Sequence, residues 1–142
     1  MSFPPEKDDT DTALAVKTAA ELGCRKIIIA GGLGGRLDHT LANICLLEYI
    51  RDIGGSCIIT DGKNRAYLAE KENILDGKRK YVSLIPLDEK VKNVKMDYNF
   101  KYPYETKILE RRSFVTVSNE IIKAPARIYV DEGMALIVEA ED

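Results

Sequence analysis

The segment that most constrains the fold of this chain is a glycine-rich stretch that follows three consecutive isoleucines. Residues 27–29 are Ile-Ile-Ile, residues 31–35 contain four glycines, and residues 36–39 are Arg-Leu-Asp-His. This pattern predicts a buried strand, a tight turn and the start of a helix. Glycines permit positive φ and close approach of a ligand, and the first N–H groups of a helix point toward such a turn. The sequence therefore predicts an anion site here, with phosphate as the expected anion.

Two common phosphate-binding motifs do not match this stretch. A Walker A loop has Lys followed by Ser or Thr after its last glycine, whereas Arg36 and Leu37 follow Gly35 here. A dinucleotide-binding fingerprint has glycine or alanine at the position that Leu37 occupies. The predicted anion site therefore belongs to another kind of glycine turn.

The N-terminal half of the chain alternates predicted helices with predicted strands. Apolar residues at helical spacing predict a helix over residues 11–23, with Thr10 as its N-cap, and a second helix over 38–53. Short apolar runs predict buried strands over 26–30 and 56–60. This order is that of a parallel α/β layer. Two strands and two helices leave such a sheet with open edges, so we expect further polypeptide or a partner to complete it.

The C-terminal half is expected to be all-β. Runs rich in β-forming residues, separated by turn residues, occupy positions 66–68, 81–85, 127–130 and 135–138. A strand with one aromatic face is predicted by the alternation of Tyr98, Phe100, Tyr102 and Tyr104. We therefore expect two domains, a partial α/β domain over residues 1–72 and a β domain over residues 73–142.

Composition argues for a globular protein without a polyanionic partner. Of the 142 residues 45% are hydrophobic, and 21 basic residues face 23 acidic ones, so we expect no nucleic-acid or membrane surface. No apolar run approaches the roughly 20 residues that cross a bilayer, and the N-terminus lacks the apolar core of a signal peptide. Cys24, Cys45 and Cys57 are widely spaced in apolar contexts, which predicts small core residues rather than metal ligands. We expect a cytoplasmic protein.

A second candidate site is the acidic run at the start of the first predicted helix. Asp8, Asp9 and Asp11 flank Thr10 and follow Lys7. Carboxylates at a helix N-terminus interact favourably with its dipole, and capping alone explains them. In a parallel α/β layer, however, helix starts adjoin the carboxyl ends of the strands, and therefore the glycine turn. Carboxylates and phosphate repel each other unless a cation lies between them, and Mg²⁺ is the cation that such oxygen ligands favour.

Four polar residues near these segments have two readings each. Arg36 can bind phosphate or remain a surface charge, and Asp38 can cap the second helix or accept a hydrogen bond from a ribose hydroxyl. His39, the one histidine of the chain, is a ligand contact or an ordinary helix residue. Lys7 can neutralise charge on a transferred phosphoryl group or balance its acidic neighbours.

Four segments resemble the thiamine pyrophosphokinase family in their order and spacing. They are PPEKDDTD at residues 4–11, AGGLGGRLDHTLAN at 30–43, SLIPL at 83–87 and VSNE at 117–120. The resemblance implies a partial parallel α/β layer, Rossmann-like and ATP-binding, followed by a C-terminal β-sandwich that binds thiamine. It also implies Mg²⁺-dependent transfer of diphosphate from ATP to thiamine, giving thiamine diphosphate and AMP, in a homodimer with thiamine at the subunit interface.

The same resemblance implies roles for particular residues. Asp8 and Asp11 correspond to acidic residues of the metal and phosphate site, with Lys7 and Thr10 beside them. The nucleotide-side loop corresponds to Gly34, Gly35, Arg36, Asp38 and His39. A loop that approaches thiamine across the dimer corresponds to Ser118 and Asn119, which read as a β-turn when the family is set aside.

The chain differs from the family in one respect that bears on activity. Family members carry a preceding α/β segment with an Asp-x-Asp-Ser motif that supplies further metal-binding carboxylates, and no counterpart occurs in this sequence. We therefore expect a C-terminal portion of the enzyme with an incomplete metal shell and little activity alone. Two alternatives are a thiamine- or nucleotide-binding dimer without turnover, and an interaction domain whose glycine turn is only a tight connection.

Overall fold

The computed structural model describes residues 10–142. These residues form two helices, α1 (Asp11–Glu21) and α2 (Leu37–Asp52). The strands in chain order are β1 (Lys26–Ala30), β2 (Ser56–Thr60), β3 (Asn64–Leu68), β4 (Glu72–Leu75), β5 (Tyr81–Pro86), β6 (Lys90–Met96), β7 (Tyr104–Glu110), β8 (Asn119–Glu120), β9 (Ala126–Glu132) and β10 (Ala135–Ala140).

The strands form one mixed sheet and one antiparallel sheet. The mixed sheet has six strands in the order β1-β2-β3-β10-β5-β8, and the second has four in the order β4-β9-β6-β7. β1 and β2 are parallel, with Lys26 opposite Ser56, and α2 supplies the crossover that a parallel pair requires. β3 then pairs antiparallel with both β2 and β10. Strands from both halves of the sequence therefore share one sheet.

Both helices pack on one face of the six-stranded sheet. Successive side chains of a strand point to opposite faces, and one core cluster joins Val16 of α1 and Ile50 of α2 to Cys57 and Ile59 of β2. On the other face of the edge strand β1, Ile28 is 71% exposed. The helices therefore cover one face of the α/β part, and among residues 10–142 β1 is an edge strand of the sheet.

A second core lies between the two sheets. Val82 and Leu84 of β5, in the six-stranded sheet, belong to one buried cluster with Val91 and Val94 of β6, in the four-stranded sheet. All four side chains are fully buried, and burial of such a side chain stabilises the fold by about 1.5–3 kcal/mol. This core makes β5 a firm support for the loop that precedes β8.

The predicted elements of the N-terminal half are confirmed, with small shifts at the helix ends. The two strands occupy residues 26–30 and 56–60 as predicted, but the predicted burial of β1 is wrong: as an edge strand it has Ile27 and Ile29 half-buried and its other residues exposed. Thr10 is the N-cap of α1, and its hydroxyl accepts a hydrogen bond from the Ala13 amide at 3.1 Å. α1 ends two residues earlier than predicted because Gly23 adopts a φ of +91°, which ends the helix. α2 begins and ends one residue earlier than predicted.

The predicted strand with one aromatic face is wrong. Only Tyr104 lies in a strand, and the preceding residues form turns and an isolated bridge at Phe100. The Asp97 carboxylate accepts hydrogen bonds from the amides of Asn99 and Arg127, which bends the chain here. Phe100 is 1% exposed whereas Tyr98 is 86% exposed, so these alternate aromatic residues do not share an environment.

The cysteine prediction holds for one residue of three. Cys57 is buried in the helix-covered core, but Cys24 and Cys45 are exposed, and all three are free thiols. Their apolar sequence neighbours do not decide burial, because Cys45 lies on the outer side of α2.

Within residues 10–142, no helix is long and apolar enough to cross a membrane.

Candidate functional site

The glycine turn joins β1 to α2 at the carboxyl end of β1. Gly31, Gly34 and Gly35 have φ angles of +74°, +83° and +66°, a region that residues with a Cβ rarely adopt. The Gly31 amide donates to the Thr60 carbonyl at 2.7 Å, so the turn also lies at the carboxyl end of β2. Ligands of open parallel α/β sheets bind at this edge.

At position 32 glycine is required by tight packing rather than by a positive φ. A Cβ at this position would lie 2.8 Å from Cγ2 of Ile29 and 2.9 Å from Cγ2 of Ile59. The Gly32 carbonyl accepts a hydrogen bond of 3.0 Å from Nδ2 of Asn43, a buried residue of α2. Sequence reasoning gave Asn43 no role of its own, although an asparagine on the inward face of a helix is the signal that could have identified it.

Arg36 and Asp38 form an exposed ion pair at the start of α2. Nη2 of Arg36 donates to Oδ2 of Asp38 at 2.6 Å, and Oδ1 accepts from the His39 amide at 2.9 Å. The hydrogen bond from Arg36 holds the pKa of the Asp38 carboxyl below its usual value against the opposing effect of desolvation, and the His39 amide lowers it further. The N-cap residue Arg36 makes no capping hydrogen bond with its side chain. An anion approaching this helix start therefore meets a guanidinium and a carboxylate together.

The acidic run is described only in part. Asp8 and Lys7 lie outside the described residues, and Thr10 and Asp11 are the N-cap and first residue of α1. α1 precedes β1 through a short connection and runs back along it, so its start lies toward the carboxyl end of β1. Among residues 10–142 no three His, Cys, Asp or Glu side chains cluster as a metal site.

The Ser118 loop is fixed to β5 in an unusual backbone conformation. Ser118 has a φ of +59°, uncommon for a residue with a side chain and frequent at functional sites. Its amide donates to Oγ of Ser83 at 2.9 Å, and the buried Thr116 hydroxyl donates to the Leu84 carbonyl at 2.7 Å. The backbone is thus held in place while Ser118 itself is exposed.

Asn119, the next residue, has its side chain turned inward. Its Nδ2 donates to the Tyr102 carbonyl at 2.8 Å, and its Oδ1 accepts from the amides of Tyr102 and Glu120 at 3.1 and 2.9 Å. Nδ2 also lies 3.8 Å from the Met96 sulfur. This amide joins β8 to the turn before β7, and its contacts within the chain give it a positioning role.

The glycine turn and the Ser118 loop lie far apart within one chain. The turn follows β1 and the loop precedes β8, and these two strands are the opposite edges of the six-stranded sheet. Five inter-strand spacings of about 4.8 Å separate the two edges. The structure therefore does not bring the two predicted groups of site residues together in one protomer.

A glycine turn on a parallel strand pair, with the Ser118 loop at the other edge of the same sheet and a second, antiparallel sheet, is the arrangement of a two-part α/β and β protein. Two family profiles match the chain in this arrangement. "Thiamin pyrophosphokinase, catalytic domain" matches residues 1–59, and "Thiamin pyrophosphokinase, vitamin B1 binding domain" matches residues 69–135. The chain belongs to the thiamine pyrophosphokinase family.

Individual relatives agree with this assignment. Thiamine pyrophosphokinase of Bacillus subtilis is 29% identical over 99% of this chain and 66% of its own length. Thiamin pyrophosphokinase 1 of Caenorhabditis elegans is 26% identical over 96% of this chain and 60% of its own length. The chain therefore spans a little less than two thirds of these relatives.

Solved structures share the fold. The crystal structure of thiamine pyrophosphokinase from Bacillus subtilis superposes with a TM-score of 0.87 at 28% identity, covering 96% of this chain and 65% of that one. The crystal structure of thiamin pyrophosphokinase from Geobacillus thermodenitrificans gives a TM-score of 0.83 at 32% identity, covering 99% and 65%. The mixed sheet, the second antiparallel sheet and the few helices are those of this fold.

Proposed function

We propose that this chain is part of a thiamine pyrophosphokinase, which transfers diphosphate from ATP to thiamine and gives thiamine diphosphate and AMP. Profiles of both the catalytic and the vitamin B1 binding domain support this proposal. The observation that carries it is the pairing of a glycine turn suited to an anion with the separate, firmly held Ser118 loop in one chain. The proposed architecture is a partial Rossmann-like layer followed by a β-sandwich.

The glycine turn and the start of α2 form the proposed ATP side. Phosphate oxygens accept hydrogen bonds from the N–H groups of a helix start, and the exposed glycines Gly34 and Gly35 permit close approach. Arg36 supplies a guanidinium that can move from Asp38 to a phosphate. Asp38 then accepts a hydrogen bond from a ribose hydroxyl, and the exposed His39 lies beside it.

Mg²⁺ is the proposed cofactor, and the described residues fit it in donor chemistry. Asp11 is a carboxylate at the start of α1, which we place at the same edge of the sheet as the glycine turn, and Mg²⁺ binds through one or two carboxylates together with substrate phosphates and water. Asp8 and Asp11 are the proposed ligands, with Lys7 and Thr10 beside the transferred group. When bound, Mg²⁺ neutralises negative charge on the phosphates.

Ser118 is the proposed contact to thiamine, and Asn119 positions it. The Ser118 side chain is exposed on a backbone held by Ser83 and Thr116, so its hydroxyl is available to a ligand. The side-chain amide of Asn119 is hydrogen-bonded to the backbone of Tyr102, so Asn119 affects the ligand by holding the loop in position. In this proposal Ser118 binds thiamine, and Asn119 orients the loop that carries Ser118.

A homodimer is the proposed assembly. The two groups of site residues lie at opposite edges of one sheet, so a second copy is needed to bring a glycine turn beside a Ser118 loop. The apolar patch around β8 supports this geometry and comprises exposed residues of the segments that flank this strand, Phe114, Val115, Val117 and Ile122. Exposed apolar surface concentrated in one region is typical of protein interfaces.

The proposed domain division is an ATP-binding part over residues 1–72 and a thiamine-binding, dimerising part over 73–142. The first profile match ends at residue 59 and the second begins at 69, which supports a change of domain nearby. β3 continues the sheet from one part to the other. A cytoplasmic setting belongs to the same proposal, and the three free thiols fit a reducing compartment.

The test is thiamine-dependent release of AMP from Mg·ATP. We would compare the 142-residue chain with a chimaera that places the upstream portion of the Bacillus subtilis relative before it. We expect turnover in the chimaera and loss of turnover in its Asp11→Asn variant, with Asp52→Asn, at the far end of α2, as the matched control. Thiamine binding without AMP release in both proteins would favour a binding module. A folded chimaera that binds neither ligand would contradict the proposal.

A further inference from the structure

The backbone of Ser118 lies at a gap in the hydrogen-bond ladder between β5 and β8. The two strands pair over only two residues of β8. Beyond the gap, the Leu84 amide of β5 donates to the Thr116 carbonyl at 2.9 Å. Alternate residues of a strand direct their backbone groups to opposite neighbours, so the backbone groups of Ser83 face β10. The Ser118 amide therefore lies beside a residue whose backbone offers it no acceptor.

The side chain of Ser83 supplies the acceptor instead. Its Oγ accepts from the Ser118 amide at 2.9 Å. The position of Ser83 is fixed, because Val82 and Leu84 on either side of it are fully buried in the core between the two sheets. On β10, Val138 lies directly opposite Ser83. One hydroxyl on a firmly held strand therefore determines where the Ser118 amide points.

This hydrogen bond supports a backbone conformation that serine rarely adopts. Ser118 has a φ of +59°, which costs free energy for a residue with a Cβ and persists only where the surroundings impose it. Asn93, the other described non-glycine residue with positive φ, is of a type that tolerates this region, and its side chain donates to Asp131 at 3.1 Å. The Ser118 side chain is exposed, and within residues 10–142 its hydroxyl makes no hydrogen bond. The strain therefore serves no contact of this hydroxyl inside the protomer.

We infer that Ser83 is a positioning residue for thiamine binding. Its hydroxyl holds Ser118 in the left-handed conformation, and that conformation directs the Ser118 hydroxyl toward the ligand. Without the Ser83 hydroxyl, the Ser118 amide turns to water and the backbone relaxes to negative φ. A contact that is held in place before binding loses less conformational freedom when the ligand arrives. The inference rests on the proposed contact between Ser118 and thiamine, and it adds a residue that affects affinity without touching the ligand.

The first test measures the backbone of Ser118 in the absence of ligand. In the isotope-labelled 142-residue chain, the Cα and Cβ chemical shifts of Ser118 report its φ angle. We expect Ser83→Ala to move these shifts from the left-handed range toward values typical of negative φ. Ser83→Thr keeps a hydroxyl at this position and should leave them unchanged. Ser56→Ala, at an exposed serine of the same sheet, is the matched control.

The second test measures thiamine affinity by calorimetric titration in a double-mutant cycle. We expect Ser83→Ala to weaken binding about tenfold, whereas Ser83→Thr should stay within about twofold of the wild type. In a Ser118→Ala background, Ser83→Ala should have no further effect, because the hydroxyl that Ser83 positions is absent. A purely structural role of Ser83 would instead give additive losses of affinity.

Three results would overturn the inference and leave the proposed function intact. They are unchanged Ser118 shifts in Ser83→Ala, equal thiamine affinities of Ser83→Ala and Ser83→Thr, and an equal loss on Ser83→Ala with and without the Ser118 hydroxyl. A folded wild-type chain that does not bind thiamine would contradict the proposed function itself, and this inference with it. Ser83→Cys, whose sulfur is a weak acceptor of similar size, takes the place of Ser83→Ala if that variant does not fold.

Discussion

The side-chain amide of Asn43 donates a hydrogen bond of 3.0 Å to the carbonyl of Gly32, and it thereby fastens the glycine turn to the second turn of α2. Asn43 is 7% exposed, so the carbonyl has little access to a replacement partner. We expect Asn43→Leu to lower the free energy of unfolding by about 1–3 kcal/mol and to weaken Mg·ATP binding. Urea denaturation and calorimetric titration measure the two effects. Cys45→Ser, at an exposed position of the same helix, is the control, and equal stabilities of the two variants would refute this role.

Gly32 and Gly34 should respond oppositely to the size of the substituted residue. At Gly32 a Cβ meets Ile29 and Ile59 below 3 Å, so Gly32→Ala should cost about 1–3 kcal/mol and Gly32→Asn more. At Gly34 no atom lies within 4 Å but φ is +83°, and Asn tolerates this region better than Ala. Gly34→Asn should therefore be more stable than Gly34→Ala. Thermal unfolding of the four variants measures the pattern, and the same rank order at both sites would contradict it.

The lowered pKa of Asp38 should depend on Arg36. Because the folded-state pKa lies below the unfolded value near 3.9, the ion pair stabilises the protein above that pH and is lost as pH falls through the folded-state pKa. In Arg36→Gln we expect the Asp38 pKa to rise toward its ordinary value. The side-chain carboxyl signal followed by NMR titration measures it. Arg51→Gln, at the other end of α2, should leave the pKa of Asp38 unchanged, and an equal response in both variants would exclude Arg36 as the cause.

Substitution of Asn119 should lower the stability of the protein, whereas substitution of Ser118 should weaken thiamine binding. Asn119→Ala removes the partners of the Tyr102 amide and carbonyl, so we expect a loss of about 2 kcal/mol or more in unfolding free energy. Ser118→Ala should leave stability nearly unchanged and weaken thiamine binding. Ser118→Gly should raise stability by up to about 1 kcal/mol, because glycine adopts a φ of +59° without strain. A large loss of stability in Ser118→Ala would show that this hydroxyl is structural.

The apolar patch around β8 should decide the oligomeric state. Phe114 is 78% exposed within this patch, and a charge there opposes burial against a second copy. We expect Phe114→Glu to shift the chain from dimer to monomer in sedimentation equilibrium. Leu22→Glu, at an 80% exposed position after α1, is the matched control and should remain dimeric. A wild-type chain that is monomeric at all concentrations would contradict the proposed assembly.

Local sequence patterns were sufficient to predict the helices and strands of the N-terminal half. Three β-branched residues in succession identified β1, and the glycines after it identified the turn, since few backbone conformations connect a strand to a helix so quickly. Thr10 was identified as an N-cap because a side-chain oxygen before a helix satisfies an unpaired amide. The residues at 98–104 were misread, because alternation along the chain does not show that the Asp97 carboxylate will hold the nearby Asn99 amide and the distant Arg127 amide together.

The sequence by itself determined the strand, glycine turn and helix, and the motifs that place this chain in its family. Each of these depends on residues close together in the chain, whose backbone preferences act locally. Only the tertiary structure decided that Asn43 fastens Gly32, that Asn119 faces inward while Ser118 faces outward, and that Arg65 and Glu139 meet across two strands. These relationships depend on strand order and register, which are set by burial of whole sheet faces rather than by neighbouring residues.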